Sequence, residues 1–77
     1  MKYNNYKTML RPEPEGGFTV IVPSLPGCVT YGSTLDEAKE MALEAIEIYL
    51  ESLIAHNEYI PNDNETLEYN ISVESYA

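Results

Sequence analysis

The sequence predicts an α+β domain in the order β-β-β-α-β: one antiparallel-dominated sheet with a single long helix packed on one face. Three features carry that prediction. A capping box opens an apolar helical stripe, short β-branched runs alternate with Pro- and Gly-rich turns, and a cleanly alternating run lies near the C-terminus. At 77 residues there is room for one domain, spanning 1–77, and a chain of this size buries about 60% of its unfolded surface. Its expected stability is roughly 4–12 kcal/mol.

Residues 3–10 read as the first strand, with Tyr6, Thr8 and Leu10 on one face and Tyr3, Lys7 and Met9 on the other. Pro12-Glu13-Pro14-Glu15-Gly16-Gly17 reverses the chain before the second strand, Phe18-Thr19-Val20-Ile21-Val22. The next turn is Pro23-Ser24-Leu25-Pro26-Gly27. Pro26 fixes φ there, and Gly27 accepts the positive φ of a type II turn. Residues 28–31 make a short third strand.

Thr34-Leu35-Asp36-Glu37 is the capping box: the Thr34 hydroxyl accepts from the Glu37 N–H while the Glu37 carboxylate reaches back. Leu35, Ala38, Met41, Ala42, Ala45, Ile46, Tyr49 and Leu53 recur at three- and four-residue spacing and form the apolar stripe. The helix is expected to stop near His56-Asn57, because Asn tolerates the left-handed conformation and Pro61 follows. Leu67, Tyr69, Ile71 and Val73 then fall on one side of a fourth strand joining the same sheet. A helix of roughly 24 residues, about 36 Å long, outruns a seven-residue strand of about 23 Å. Its C-terminal third, carrying Tyr49, Leu50, Leu53 and Ile54, is therefore expected to overhang the sheet and offer a surface for self-association.

Thirteen Asp and Glu against four Lys and Arg give a net charge of -9, which repels phosphate backbones and argues against direct nucleic-acid binding by this chain alone. Seven Tyr and one Phe could stack on bases, but the chain lacks the cations to build a basic groove beside them. Cys28 has no partner for an internal disulfide, and the N-terminal residues contain no signal-like or membrane-spanning run, so the expected location is the cytoplasm. No phosphate-cradling glycine motif and no CxxC, HxxxH or calcium-loop spacing occurs, so no cofactor or metal is expected. The second and third strands carry no Asp or Glu, whereas a two-metal nuclease holds its cations on strand carboxylates. Cys28 reads as a small buried hydrophobe and His56 as a residue favourable to the helix C-terminus, so nucleophilic catalysis by this pair is not expected. A vestigial hydrolase is the enzyme alternative; it requires a pocket with at least two perturbed titratable groups.

Glu37, Glu40, Glu44, Glu47 and Glu51 recur along one helix face. Two readings of that face stand. It is a solvated surface that keeps a small domain soluble, or it is a binding face whose like-charge repulsion a basic partner would relieve. The Pro23-Ser24-Leu25-Pro26 turn has the same two readings, chain reversal or an exposed contact.

The run from Gly17 to Ala38 (GFTVIVPSLPGCVTYGSTLDEA) strongly resembles the signature of HicB antitoxins. Its Gly-aromatic-x-Val strand, Pro-x-Leu-Pro-Gly-Cys turn, Gly-Ser-Thr helix start and Asp-Glu-Ala first turn occur in that family's order, and the likeness extends over most of the chain. The resemblance implies a partial RNase H-like domain. It also implies a partner, HicA, a small basic mRNA-cleaving toxin whose catalytic surface the antitoxin blocks. Many family members continue into a helix-turn-helix or ribbon-helix-helix segment that binds the promoter. This sequence reaches Ala77 just after the last predicted strand, so no C-terminal DNA-binding domain is expected. The binding alternative is a solitary, homo-oligomeric module without a toxin.

Overall fold

The computed structural model describes residues 3–75. Three strands, β1 (Met9–Pro12), β2 (Phe18–Ile21) and β3 (Val29–Gly32), form an antiparallel meander in the order β1-β2-β3, followed by one helix, α1 (Leu35–Ala55). This is the expected α+β arrangement. The register pairs Leu10 with Val20 and Val20 with Thr30, which sets those residues on the helix side of the sheet. By the two-residue period, Met9, Ile21 and Val29 form a cross-strand row on the opposite, open face.

The turns form as their residues dictate. The Cys28 N–H donates to the Leu25 carbonyl across Pro26-Gly27, and Gly27 takes φ 83° as the type II turn requires. At the helix start the Thr34 hydroxyl accepts from the Glu37 N–H at 3.1 Å. The reciprocal bond lands one residue early: Glu37 Oε1 accepts from the Ser33 N–H at 2.9 Å. The helix ends in a Schellman motif. Asn57 sits at φ 56°, its N–H donates to the Ile54 carbonyl, and the Glu58 N–H donates to the Leu53 carbonyl.

Two small apolar clusters make up the core. In the first, Val20 meets Ala38 and Ala42, with Leu10 and Phe18 packed against them. The small helix residues let the helix lie close on the sheet, and its contacts run chiefly to β3, then to β2, and hardly to β1. In the second, Val22, Leu25 and Cys28 form a floor on which Tyr6, Tyr49, Leu50 and Leu53 pack. The helix does outrun the strands, yet the 22–28 turn rises beneath its far half. Of the four residues expected to overhang the sheet, Tyr49, Leu50 and Leu53 are half-buried on that turn and only Ile54 is exposed.

The fourth strand differs from expectation. Residues 67–73 pair with no strand, and Leu67, Tyr69, Ile71 and Val73 are 93%, 84%, 76% and 81% exposed. The alternation is present in the sequence, but the segment forms no ladder with the sheet, although Leu67, Glu68, Tyr69 and Asn70 border a cavity shared with Lys7 and Met9. The first strand is also shorter than expected, because residues 3–8 instead serve a different set of contacts centred on Asp63.

Candidate partner-binding surface

The five glutamates of the predicted face lie on α1 at spacings of three, four, three and four residues, and all five are exposed. At 100° per residue they fall within an arc of about 80° and form a file about 21 Å long on the side of the helix away from Ala38 and Ala42. Exposed Leu43 and Ile54 flank the file on one side and Ile48 on the other. The surface is therefore a single-sign stripe bordered by aliphatic side chains, a pattern suited to a partner with basic and apolar contacts together. Asp36 and Glu37 lie in the first turn, where the helix dipole favours them, and no basic residue closes the last turn.

The 23–26 turn divides. Pro23 and Pro26 face outward, Ser24 is half-buried, and Leu25 is at 0% exposure in the second cluster. The expected exposure of this turn thus fails at Leu25. A Pro-rich turn looks like surface in sequence, but successive turns here, closed by the Leu25 N–H on the Val22 carbonyl and the Cys28 N–H on the Leu25 carbonyl, aim that side chain inward. The Pro26 carbonyl accepts from the Tyr49 hydroxyl at 2.8 Å, fixing the turn to the helix.

Sequence reasoning missed Asp63, which reads as one more polar residue after the helix. It is buried. One carboxylate oxygen accepts from the Ser24 hydroxyl and the other from the Lys7 N–H at 2.8 Å, while its own N–H donates to the Asn5 carbonyl at 2.7 Å. The Ser24 and Lys7 hydrogen bonds hold its carboxyl below the usual carboxylate range, outweighing the opposing effect of burial. Nearby, the Tyr6 hydroxyl donates to the Pro61 carbonyl at 2.6 Å, and burial together with the Asp63 charge pushes its pKa up. The residues after the helix are thereby tied to the residues before β1. Only Thr66, whose N–H donates to the Asp63 carbonyl, is local; the partners that tie residue 63 to the rest of the fold lie 39 or more residues away in sequence, and no local pattern signals them.

Cys28 and His56 serve separate local roles. Cys28 is buried in the second cluster and burial raises its thiol pKa, whereas His56 caps the helix with Nδ1 on the Ser52 carbonyl at 2.8 Å. Among the described residues, no group of His, Cys, Asp and Glu converges as metal ligands would, and no helix is long and apolar enough to cross a membrane.

The amino-acid sequence matches a known family of proteins. The family described as "HicB_like antitoxin of bacterial toxin-antitoxin system" matches residues 6–77. The chain belongs to this family. A UPF0150 protein of Thermoplasma acidophilum is 48% identical over 59 residues, covering 77% of this chain and 86% of that protein. Antitoxin HicB 1 of Photorhabdus laumondii is 41% identical over 61 residues, covering 79% of this chain and 39% of that protein. Antitoxin HicB of Escherichia coli K12 is 38% identical over 56 residues, covering 73% and 41% respectively. The chain thus spans most of the compact UPF0150 relative and about two fifths of each HicB antitoxin, so it corresponds to one portion of the longer proteins. Membership in the family associates this chain with an antitoxin role.

Proposed function

We propose that this chain is a cytoplasmic antitoxin that binds a small, basic HicA-type ribonuclease and occludes its catalytic surface. The observation that carries this reading is the exposed file of Glu37, Glu40, Glu44, Glu47 and Glu51 on a member of an antitoxin family. An RNA-cleaving protein must present cations to phosphates, and a carboxylate stripe competes for those cations while steering the encounter. Leu43 and Ile54 beside the stripe supply apolar contact that charge alone does not, and the outward Pro23 and Pro26 form a secondary contact. Inhibition on this reading is steric and electrostatic, with no bond made or broken.

The test is to co-purify this chain with a small basic protein encoded beside its gene and to assay RNA cleavage by the partner with and without it. A stable complex with suppressed cleavage supports the reading. The Glu44→Lys/Glu47→Lys double variant should weaken that complex at least about tenfold at low salt, with the difference shrinking as salt rises. Unchanged affinity would remove the helix face from the interface. The second reading, a self-associating module without a toxin, draws on the exposed apolar side chains of residues 67–73, since the far end of the helix is largely covered by its own turn.

A further inference from the structure

We infer that the outer edge of β3, with the groove between it and α1, receives an extended segment of the basic protein partner as an added strand. The inference rests on the antitoxin reading and names the place where that partner joins the fold.

β3 has a ladder neighbour on one side only. The Val22 N–H donates to the Cys28 carbonyl, and bonded pairs alternate along an antiparallel ladder, so Thr30 and Gly32 direct their backbone groups to β2. Val29 and Tyr31 then turn their N–H and C=O groups outward. These donors and acceptors stand two residues apart, the spacing an incoming strand meets. No side chain of this edge guards it. Val29-Thr30-Tyr31-Gly32 carries no charge and no proline, whereas β1 carries Arg11 and Pro12.

Beside the edge, a groove of about 370 Å³ opens between residues 27–29 and Ala45, Ile48 and Ser52 of α1. A strand added to β3 sends alternate side chains into this groove and the others onto the open face, beside the exposed Val29 and Tyr31. Ile48 is 59% exposed and makes the rim of the groove apolar. It also stands one helical turn from Glu44 and from Glu51, at spacings of four and three residues. Apolar contact, outward backbone groups and carboxylates therefore meet along one side of the molecule.

That combination selects the occupant. Aliphatic side chains suit the groove, and Lys or Arg beside them reaches Glu44 and Glu51, so the segment is both apolar and basic. A second copy of this chain does not fit. Pairing two β3 edges about a twofold axis sets the two helices side by side on one face of the joined sheet, where Glu44 and Glu51 of each confront those of the other. The net charge of -9 on each chain adds to that repulsion. A nucleic-acid strand is repelled by the same carboxylates.

The test uses the full chain and the small basic protein encoded beside its gene. Val29→Pro removes one outward N–H and leaves the bonds to β2 in place, a change that an edge strand tolerates. Ile48→Ser removes the apolar rim of the groove without altering charge. Each should weaken the complex about tenfold, with helix content by circular dichroism unchanged. Full affinity in either variant overturns the inference and leaves the antitoxin reading standing. No complex with the unaltered chain overturns that reading, and this inference falls with it. Hydrogen exchange followed by NMR needs no variant to fold. In the free chain the Val29 and Tyr31 amides should exchange faster than those of Thr30 and Gly32, and the partner should protect them. Exchange unchanged by the partner refutes the inference, and so does protection in the free chain that vanishes on dilution, which would mean that a second copy holds the edge.

Discussion

Gly32 is the point at which the helix start meets the sheet, and replacing it with alanine tests how close that packing is. It ends β3, is buried and takes an ordinary φ, so its absent side chain matters through space alone. A Cβ there would stand 2.8 Å from the Glu37 carbonyl carbon and closer still to the Ala38 N and Cα. Carbon atoms pack best at about 3.5–4.0 Å, so the first turn of α1 would have to retreat by about 1 Å. The obstacle is backbone, which has no rotamer to change, and Ala38 is itself fully buried on Val20. Overpacking of this kind costs about 1–3 kcal/mol, and we place Gly32→Ala at about 3 kcal/mol because nothing flexible can give way. With a urea slope of about 1 kcal/mol per molar for so small a domain, the unfolding midpoint should fall by about 2–3 M. Gly16→Ala is the control. Gly16 sits at φ 105° with nothing within 4 Å of an added Cβ, so only backbone strain of about 1–2 kcal/mol is at stake. A Gly32→Ala midpoint no lower than that of Gly16→Ala would refute the close approach of helix and sheet.

Leu25→Ala should cost about 2–5 kcal/mol, because a fully buried side chain is removed from the floor beneath Tyr49 and Leu53; urea unfolding followed by circular dichroism checks it. Asp63 titrates below its ordinary value in the fold, so its contribution to stability is complete above the unfolded pKa of about 3.9 and is lost as pH falls through the depressed folded value. Asp63→Asn should therefore lower stability at neutral pH and flatten the acid limb of a stability-pH curve, whereas a parallel curve would deny the depressed pKa. Cys28 is 5% exposed with a raised thiol pKa, so a thiol reagent should modify the native protein far more slowly than the urea-unfolded one, and equal rates would place the thiol outside the core.

The features legible in the sequence are those fixed by neighbouring residues. Thr34 and Glu37 cap the helix through bonds spanning three and four residues, Asn57 ends it, and Gly27 turns the chain, each where its chemistry places it. The glutamate file follows from helical spacing alone. What escaped the sequence depends on distant parts of the chain. Leu25 looked like an exposed turn residue because nothing local reveals which way a turn aims its side chain. Asp63 looked like loop because its partners are Asn5, Lys7 and Ser24. Residues 67–73 carry a strand's pattern, but pattern specifies a strand only where an edge receives it.

The Asp63 contacts also set how the protein responds to pulling. Since the Asp63 N–H holds the Asn5 carbonyl and its carboxylate holds the Lys7 N–H, the chain from residue 5 to residue 63 is closed into a ring by hydrogen bonds. Tension applied between the two ends of the chain then runs straight across this closure and bypasses the strands and helix inside it. The first mechanical resistance lies in a handful of hydrogen bonds loaded together, and the sheet and α1 come under load only after these give way. A machine that unravels proteins from the C-terminus would meet this closure at residue 63, and the Asp63 carboxylate would supply part of its resistance beside the bonds from the Asp63 N–H, the Asn5 N–H and the Tyr6 hydroxyl.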